Sequence, residues 1–341
     1  MKLLVANNVA PFVRGGAELL ADRLVLELEK AGHEAELFRL PLGSTPQQIA
    51  DSMVAAATLD VFNVDRVIGL KFPAYLIPHP DVVIWLIHQF RQAYDPAPVG
   101  WPDDPTLNPL VEAIRTADRH AFRDATRMYT ISPMVADRLR QANGIAATVL
   151  MHPPHADQDF RTRPAEDFLV AFGRISDGKR QLLAVKAMRS ARPGYRLIVA
   201  GAPDSPAVLA EIEREIDENG TSDRVELVPR FISEDEKLDL ISRSIGSVYL
   251  PIDEDSYSYV CYEAAMSNKP TITGADSGGT LTLVDHGRTG LVADPEPEAL
   301  AACFDELALN RDRAAEMGRN ARRLALDLDL SWKRVVTELT R

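Results

Sequence analysis

The sequence predicts an α/β protein built from two doubly wound domains, each with a parallel sheet. Short, nearly continuous runs of Val, Ile and Leu alternate with longer amphipathic segments, which is typical of parallel strands covered by helices on both faces. The alternation starts again after a proline-containing join at 153–164 that has no apolar period. The length of 341 residues also fits two domains of about 150 residues each.

The first half of the chain supplies the elements of the first domain. Buried apolar runs predict strands at 3–6, 34–40, 66–70, 82–87, 128–131 and 148–151. Helical periodicity predicts helices at 17–31 and 47–57.

The second half repeats the pattern. Strands are predicted at 168–172, 196–200, 225–228, 247–250, 271–273 and 290–293. Helices are predicted at 180–188, 207–218, 233–242, 259–267, 298–307 and 311–325, with a last one at 332–339. Such alternation indicates βαβ units in each half.

Composition excludes several classes of protein. The net charge is −12 and neither half of the chain is basic, which argues against a nucleic-acid-binding protein. Two cysteines, Cys261 and Cys303, lie in apolar helical patterns and predict neither a disulfide framework nor a thiolate metal site. No apolar run approaches the ~20 residues of a membrane span or the length of a secretory signal. We therefore expect a cytoplasmic protein whose membrane contact, if it has one, is peripheral at the inner face.

A glycine pair, Gly15-Gly16, stands between the first strand and the first helix. A strand, a glycine turn and a helix together present backbone N–H groups to a phosphate. The pair is equally consistent with a plain turn.

Two cations flank a short loop at the start of the second half. Gly173 and Arg174 follow the strand at 168–172, and Lys179 comes five residues after Arg174. Such a pair suits a diphosphate, on which negative charge develops as it leaves. The alternative is a solvated basic loop.

Two carboxylates, Asp255 and Glu263, are separated by seven residues where a loop leads into a helix. Carboxylates bind sugar hydroxyls because each accepts several hydrogen bonds. The alternative is that Asp255 is an acid near a helix N-terminus and that Glu263 is a solvated helix residue.

Taken together, these segments resemble the retaining glycosyltransferases of family 4, the group 1 glycosyl transferases. Gly173, Arg174 and Lys179 match the family's G-R-x-x-x-x-K segment, and Glu263 lies in its E-A-M-A-x-G-x-P segment. Gly278-Gly279 and the run at 287–292 resemble further family segments downstream. The resemblance covers nearly the whole chain and is stronger in the second half.

The resemblance implies a GT-B fold, with two Rossmann-like domains facing a cleft. It assigns 1–160 to an acceptor domain, 161–328 to a nucleotide-sugar donor domain, and 329–341 to a helix that packs back on the first domain. It implies transfer of a sugar from a nucleotide-diphosphate donor to an acceptor hydroxyl, in polysaccharide, lipopolysaccharide or glycoconjugate synthesis. The expected partners are the donor and a carbohydrate or glycolipid acceptor, with no cofactor and no metal.

The resemblance also implies a role for each matching residue. The implied catalytic residues are His88, Arg174, Lys179 and Asp255. The implied donor-binding residues are Gly15, Gly16, Gly173, Ser256, Tyr257, Ser258, Tyr259 and Glu263. Arg174 and Lys179 would hold the diphosphate, Glu263 the ribose hydroxyls, and His88 and Asp255 the donor sugar. Without the resemblance, a histidine after an apolar strand is more often structural.

The sequence departs from the family pattern in the loop before Glu263. Asp255 stands where the family has Glu, Ser256 and Ser258 replace glycines, and Thr282 replaces an acid. These changes leave two alternatives open, altered donor choice or a degenerate, non-catalytic module that binds a nucleotide sugar. A non-hydrolysing sugar-nucleotide epimerase is a further alternative, which the paired cations and paired carboxylates disfavour.

Two polar features are predicted on the acceptor side and at the surface. Arg91 and Tyr94 lie in a polar loop after the strand at 82–87 and are predicted to face the acceptor. Four arginines at four-residue spacing predict one helix face: Arg115, Arg119, Arg123 and Arg127. This face either contacts anionic lipid or a phosphorylated acceptor, or is a solvated face that forms salt bridges with its own acids, Asp118 and Asp124.

Overall fold

The computed structural model describes residues 1–12, 15–97, 99–154 and 159–341. The chain forms two compact units, Met1–Ala156 with Leu330–Arg341, and Asp157–Asp329. These limits lie a few residues from the predicted 160 and 328. Residues 155–158 of the predicted join are outside the described residues.

The first unit contains a parallel sheet whose six strands have the order β2-β1-β3-β4-β5-β6 in the described residues. The strands are β1 (Lys2–Val9), β2 (Glu34–Pro41), β3 (Arg66–Gly69), β4 (Val82–Leu86), β5 (Arg127–Thr130) and β6 (Thr148–Val149). The helices between them are α1 (Gly16–Lys30), α2 (Pro46–Ala57), α3 (Arg91–Tyr94), α4 (Asn108–Asp124) and α5 (Pro133–Asn143). Ser132 caps α5, because its Oγ accepts the Val135 N–H at 3.1 Å.

The last helix of the chain, α12 (Trp332–Thr340), completes the first unit. Its apolar residues Val335, Val336 and Leu339 are buried in the core of that unit. The Arg66 guanidinium on β3 donates to the Leu339 carbonyl at 2.9 Å. The strongly amphipathic pattern at 332–339 therefore predicted both this helix and its buried face.

The second unit repeats the design with the strand order β12-β11-β10-β7-β8-β9 in the described residues. The strands are β7 (Phe168–Phe172), β8 (Arg196–Ala200), β9 (Val225–Val228), β10 (Ser247–Val248), β11 (Thr271–Gly274) and β12 (Gly290–Ala293). The helices are α6 (Gln181–Ala187), α7 (Pro206–Glu218), α8 (Glu234–Arg243), α9 (Tyr259–Met266), α10 (Pro297–Leu309) and α11 (Arg311–Asp327). The strand pairs are parallel. The predicted fold class is confirmed.

The predicted arginine face is correct in part, since Arg123 pairs with Asp124 at 3.1 Å on the surface, but it is wrong for Arg127 and Asp118. Helix α4 ends at Asp124, so Arg127 lies on β5 instead of in line with the other three arginines. Asp118 is fully buried, not solvated. Its carboxylate accepts hydrogen bonds from the hydroxyls of Tyr75 at 2.8 Å and Tyr94 at 2.9 Å. Burial raises the pKa of the Asp118 carboxyl to about 7, and the two tyrosine hydrogen bonds oppose that shift.

Replacing Asp118 by Asn should remove a pH dependence of folding. The folded pKa is above the unfolded one, so the stability that Asp118 contributes is present below pH 4 and lost as pH rises through about 7. Relative to Asp118→Asn, the wild type should lose up to about 4 kcal/mol of unfolding free energy over this range. Urea unfolding at pH 5, 6, 7 and 8 measures the difference. A difference independent of pH would contradict the prediction.

Candidate active site

The loop after β7 carries the first predicted donor-binding residues. Gly173 directly follows the strand and has a φ of +118°, which L side chains rarely adopt. Arg174 is exposed, and its guanidinium lies 3.1 Å from the Asp204 carboxylate. An exposed ion pair of this kind contributes little to stability. Arg174 can therefore exchange Asp204 for a phosphate at small cost.

Lys179 lies at the same carboxyl edge of the sheet, in a cluster with Tyr249 and Glu254. Its Nζ donates to the Tyr249 hydroxyl at 2.7 Å and forms a short ion pair with the Glu254 carboxylate. The Tyr249 hydroxyl also lies 3.0 Å from that carboxylate. Burial and the charge of Glu254 raise the pKa of Tyr249 well above its usual range, so Tyr249 stays a neutral donor. Sequence reasoning missed both partners of Lys179.

The adjacent cation, Arg180, has a structural role. Its φ is +51°, and its guanidinium donates to the Leu250 carbonyl at 2.7 Å and the Pro251 carbonyl at 2.9 Å. It also pairs with Asp276, the two side chains lying 2.6 Å apart. Arg180 thus ties the loops after β10 and β11 together. The predicted helix at 180–188 begins one residue later because Arg180 is its left-handed cap.

The loop before α9 contains Asp255, which is half-buried, and the two serines that replace family glycines. The Oγ of Ser258 accepts the Val260 N–H at 3.1 Å, so Ser258 is the N-cap of α9. Ser256 is buried, and its Oγ donates to the Tyr257 carbonyl at 3.3 Å. Both serines therefore have a structural function in this loop.

The backbone of Gly278 and Gly279 packs against this loop. A Cβ at Gly278 would lie 2.5 Å from the Glu254 carbonyl oxygen, and one at Gly279 would lie 2.7 Å from the Ser256 backbone. The Gly279 N–H donates to the Glu254 carbonyl at 2.6 Å. These two positions need glycine because the acidic loop packs directly on their backbone.

The two tyrosines of the loop differ in their environment. Tyr257 is buried and packs edge-on to Tyr259 at 6.4 Å between ring centroids. It also contacts the Tyr262 ring at 6.0 Å. Tyr259 is half-buried at the first position of α9. Tyr257 is thus a core residue that shapes the loop, whereas Tyr259 lies nearer its surface.

Glu263 is buried within α9, with 1% of its surface exposed. Its Oε1 accepts from the Nζ of Lys237 on α8 at 2.9 Å. Burial opposes the charge on Lys237, but the carboxylates of Glu263 and Glu234 raise its pKa. The solvated alternative for Glu263 is wrong, and Lys237 is a residue of the site that the sequence did not indicate.

The predicted residues of the first unit lie after β1 and β4. Gly15 caps α1, and its N–H donates to the Glu18 carboxylate at 2.8 Å, while Gly16 is the first residue of the helix. Residues 13 and 14, which complete the glycine loop, are outside the described residues. The N-terminus of α1 thus binds the carboxylate of Glu18, which belongs to the same helix. Helix N-termini bind anions in this way because their backbone N–H groups point outward.

His88 follows β4, and its Nδ1 lies 2.6 Å from the Gln89 carbonyl oxygen. The Gln89 amide donates to the Asn143 Oδ1, and the Asn143 Nδ2 donates to the Tyr94 hydroxyl at 3.2 Å. This chain of hydrogen bonds continues to buried Asp118. The structure therefore brings the segment that holds His88 together with Tyr94.

Arg91 begins the short helix α3. Its Nε donates to the Asp95 carboxylate at 2.5 Å, one helical turn away. A ligand anion at Arg91 must therefore compete with Asp95.

Both cysteine thiols are held in their protonated form by their surroundings. Burial raises the pKa of the Cys261 thiol to about 12 and that of Cys303 to about 11. Within the described ranges, no group of three or more His, Cys, Asp and Glu side chains is arranged to hold a metal ion. Nor does any helix described by the structure combine the length and apolar character that a membrane span requires.

Two Rossmann-like units of this kind define the GT-B architecture of glycosyltransferases. A solved structure with this fold, the sucrose-phosphate synthase of Thermosynechococcus elongatus, matches with a TM-score of 0.77 over 99% of this chain and 97% of that one. The two sequences are 16% identical, so this likeness shows the fold alone. Residues 155–324, about half of the chain, match the family model described as glycosyl transferases group 1. The chain belongs to this family.

Curated relatives agree with this assignment. The chain is 27% identical over 229 residues to a D-inositol 3-phosphate glycosyltransferase of Jonesia denitrificans, covering 64% of this chain and 50% of that protein. It is 26% identical over 248 residues to a GDP-mannose-dependent alpha-(1-6)-phosphatidylinositol monomannoside mannosyltransferase of Mycobacterium tuberculosis, covering 66% of this chain and 61% of that protein. The matched regions thus span about half to three fifths of these relatives.

Proposed function

We propose that this protein is a retaining glycosyltransferase that moves a sugar from a nucleoside-diphosphate donor to a hydroxyl of a carbohydrate or glycolipid acceptor. The observation that carries the proposal is the placement of Arg174 and Lys179 at the carboxyl edge of the second sheet. Ligands of open α/β sheets bind outside the carboxyl ends of the strands. Both cations also lie inside the segment matched by the family model.

The donor is held by charge and by hydrogen bonding in this proposal. Arg174 releases Asp204 and binds one phosphate, and the ammonium of Lys179 faces the other. Asp255 accepts hydrogen bonds from the donor sugar, and Glu263 from the ribose. The GDP-mannose dependence of one relative supports a nucleoside-diphosphate sugar as the donor class.

The reaction needs the bond between the anomeric carbon and the diphosphate oxygen to break. Negative charge then develops on the diphosphate, and the two cations stabilise it. The acceptor oxygen forms its bond to the anomeric carbon on the same face of the sugar, and its proton passes to the departing diphosphate oxygen. We propose neither a covalent nucleophile nor a metal. The rest of the rate enhancement comes from the positioning of the two substrates.

The first unit supplies the acceptor side in this proposal. His88 contacts the donor sugar, and Tyr94 and Arg91 orient the acceptor. The hydrogen bonds from Tyr94 through Asn143 to Gln89 support this, because they fix the segment that carries His88.

A panel of nucleoside diphosphates and their sugars tests the proposal. One nucleotide should raise the melting temperature selectively, since binding at a hundredfold excess over Kd stabilises the fold by about 2.7 kcal/mol. When the protein is incubated with the matching nucleotide sugar and a mixture of acceptors, it should release the nucleoside diphosphate. NMR of the product should show that the anomeric configuration of the donor is retained. Binding without release under all acceptors would favour the degenerate module, and inversion would contradict the retaining mechanism.

A further inference from the structure

The second unit has a cavity of about 300 Å³ at the amino edge of its sheet. It lies among the segments that lead into β7, β10 and β11, and α11 forms one wall. The donor residues lie at the other edge of the same sheet, after these strands. The cavity is therefore distinct from the proposed donor site.

Four cationic side chains and no carboxylates line this cavity in the described residues. They are Arg163, Lys269, Arg311 and Arg319. Arg163 pairs with Asp239 at 2.7 Å, and Arg311 pairs with Asp167 at 2.6 Å. No carboxylate of the described residues lies within ion-pair distance of Lys269 or Arg319. Two positive charges are thus left without a counterion from the protein.

Lys269 is the unusual member of this set because it is 95% buried. Its Nζ donates one hydrogen bond, to the Arg163 carbonyl at 3.1 Å. An ammonium has three donors, and a buried charge without an anion is costly. Burial, and then the nearby charge of Arg311, lower the pKa of Lys269 to about 8. An anion in the cavity would supply the missing partner.

The shape of the wall leaves room for such a ligand. Arg311, Ala314, Ala315 and Arg319 lie on one face of α11, since residues three and four apart are neighbours on a helix. The two alanines open space between the arginines. Ile245 adds an apolar surface on the sheet side.

We propose that this cavity binds a small phosphate monoester. Its phosphate would pair with Lys269 and Arg319, because an ammonium and a guanidinium are the usual partners of phosphate oxygens. Its carbon portion would lie against Ile245 and the two alanines. This site goes beyond the proposed transferase function and does not depend on it.

Isothermal titration calorimetry tests this site with two probes, inorganic phosphate and glycerol 3-phosphate. At constant ionic strength, glycerol 3-phosphate should bind the wild-type protein at millimolar or lower concentration. Lys269→Met and the exposed Arg319→Ala should each weaken binding at least tenfold. Arg323→Ala, which removes an exposed cation from the next turn of α11, should leave it unchanged.

Three outcomes would overturn the proposal. They are no binding to the wild type at 10 mM, equal binding to both cavity variants, or binding of inorganic phosphate alone. If Lys269→Met does not fold, Arg319→Ala decides. The variant Arg174→Ala/Lys179→Ala should keep its affinity for glycerol 3-phosphate. Loss of binding in that variant would place the anion at the donor site instead. Failure of the transferase proposal would leave this result unaffected.

Discussion

The double variant Arg174→Ala/Lys179→Ala is expected to lose at least about 10³ in kcat/KM for sugar transfer. Both cations stabilise charge that develops on the departing diphosphate, so their removal acts on the transition state more than on folding. Affinity for the nucleoside diphosphate should fall as well. Steady-state kinetics with the donor from the nucleotide panel, and calorimetry with its diphosphate, measure the two effects.

A matched control removes two positive charges from the same unit but outside the site. Lys186 on α6 and Arg196 at the start of β8 are paired with acids across distances of 4.0 Å and 3.1 Å. The control Lys186→Ala/Arg196→Ala should keep wild-type kinetics. Because truncation to alanine also removes side-chain packing, Arg174→Gln/Lys179→Met, which retains the apolar stems, is a second test. Turnover above about a tenth of wild type in either site variant would refute the diphosphate assignment.

Breaking the buried pair of Lys237 and Glu263 should lower the unfolding free energy more than breaking an exposed ion pair does. Lys237→Met removes the ammonium that neutralises a fully buried carboxylate, and such changes cost about 3–5 kcal/mol. Glu263→Gln should cost less, since Lys237 keeps Glu234 at 2.9 Å. Urea unfolding at pH 7 measures both, with an unchanged m value as the sign that the folded state is intact.

The pH dependence of Lys237→Met provides a separate check. Without the ammonium, burial should raise the pKa of the Glu263 carboxyl, and the stability held by its protonated form is lost as pH rises. The variant should therefore be closer to wild type at pH 5 than at pH 8. A cost that does not change with pH would show that lost packing, and not charge, is responsible. The exposed pair of Arg230 and Glu236 is the control, and Arg230→Met should change the unfolding free energy much less than Lys237→Met does, at either pH.

The sequence was most informative where burial is continuous. Strands β7, β8, β9 and β12 begin and end at the predicted residues, because each is an apolar run flanked by glycine or polar residues. Strand β10 is shorter than predicted, since Tyr249 and Leu250 are buried but lie beyond the paired residues. Apolar runs report burial, and a buried residue need not be part of a strand.

Polar contacts across long sequence separations were not predictable in the same way. Lys237 and Glu263 are 26 residues apart, and neither has a local pattern that marks it as buried. Asp118 sits among arginines, so its charge pattern indicated the surface, while its tyrosine partners come from elsewhere in the chain. The cations after β7 were predicted from their spacing after a strand and from a family motif, whereas Tyr249 and Glu254 lie outside that motif.

The position of α12 affects the order in which the two units can fold during synthesis of the chain. The first unit needs residues from both ends of the chain, with the second unit inserted between them. At ribosomal rates the intervening segment takes roughly 10–35 s to synthesise. During that interval the nascent first unit exposes the surface that Val335, Val336 and Leu339 later cover. The second unit can thus fold on the ribosome before the first is complete, while this apolar surface is still uncovered.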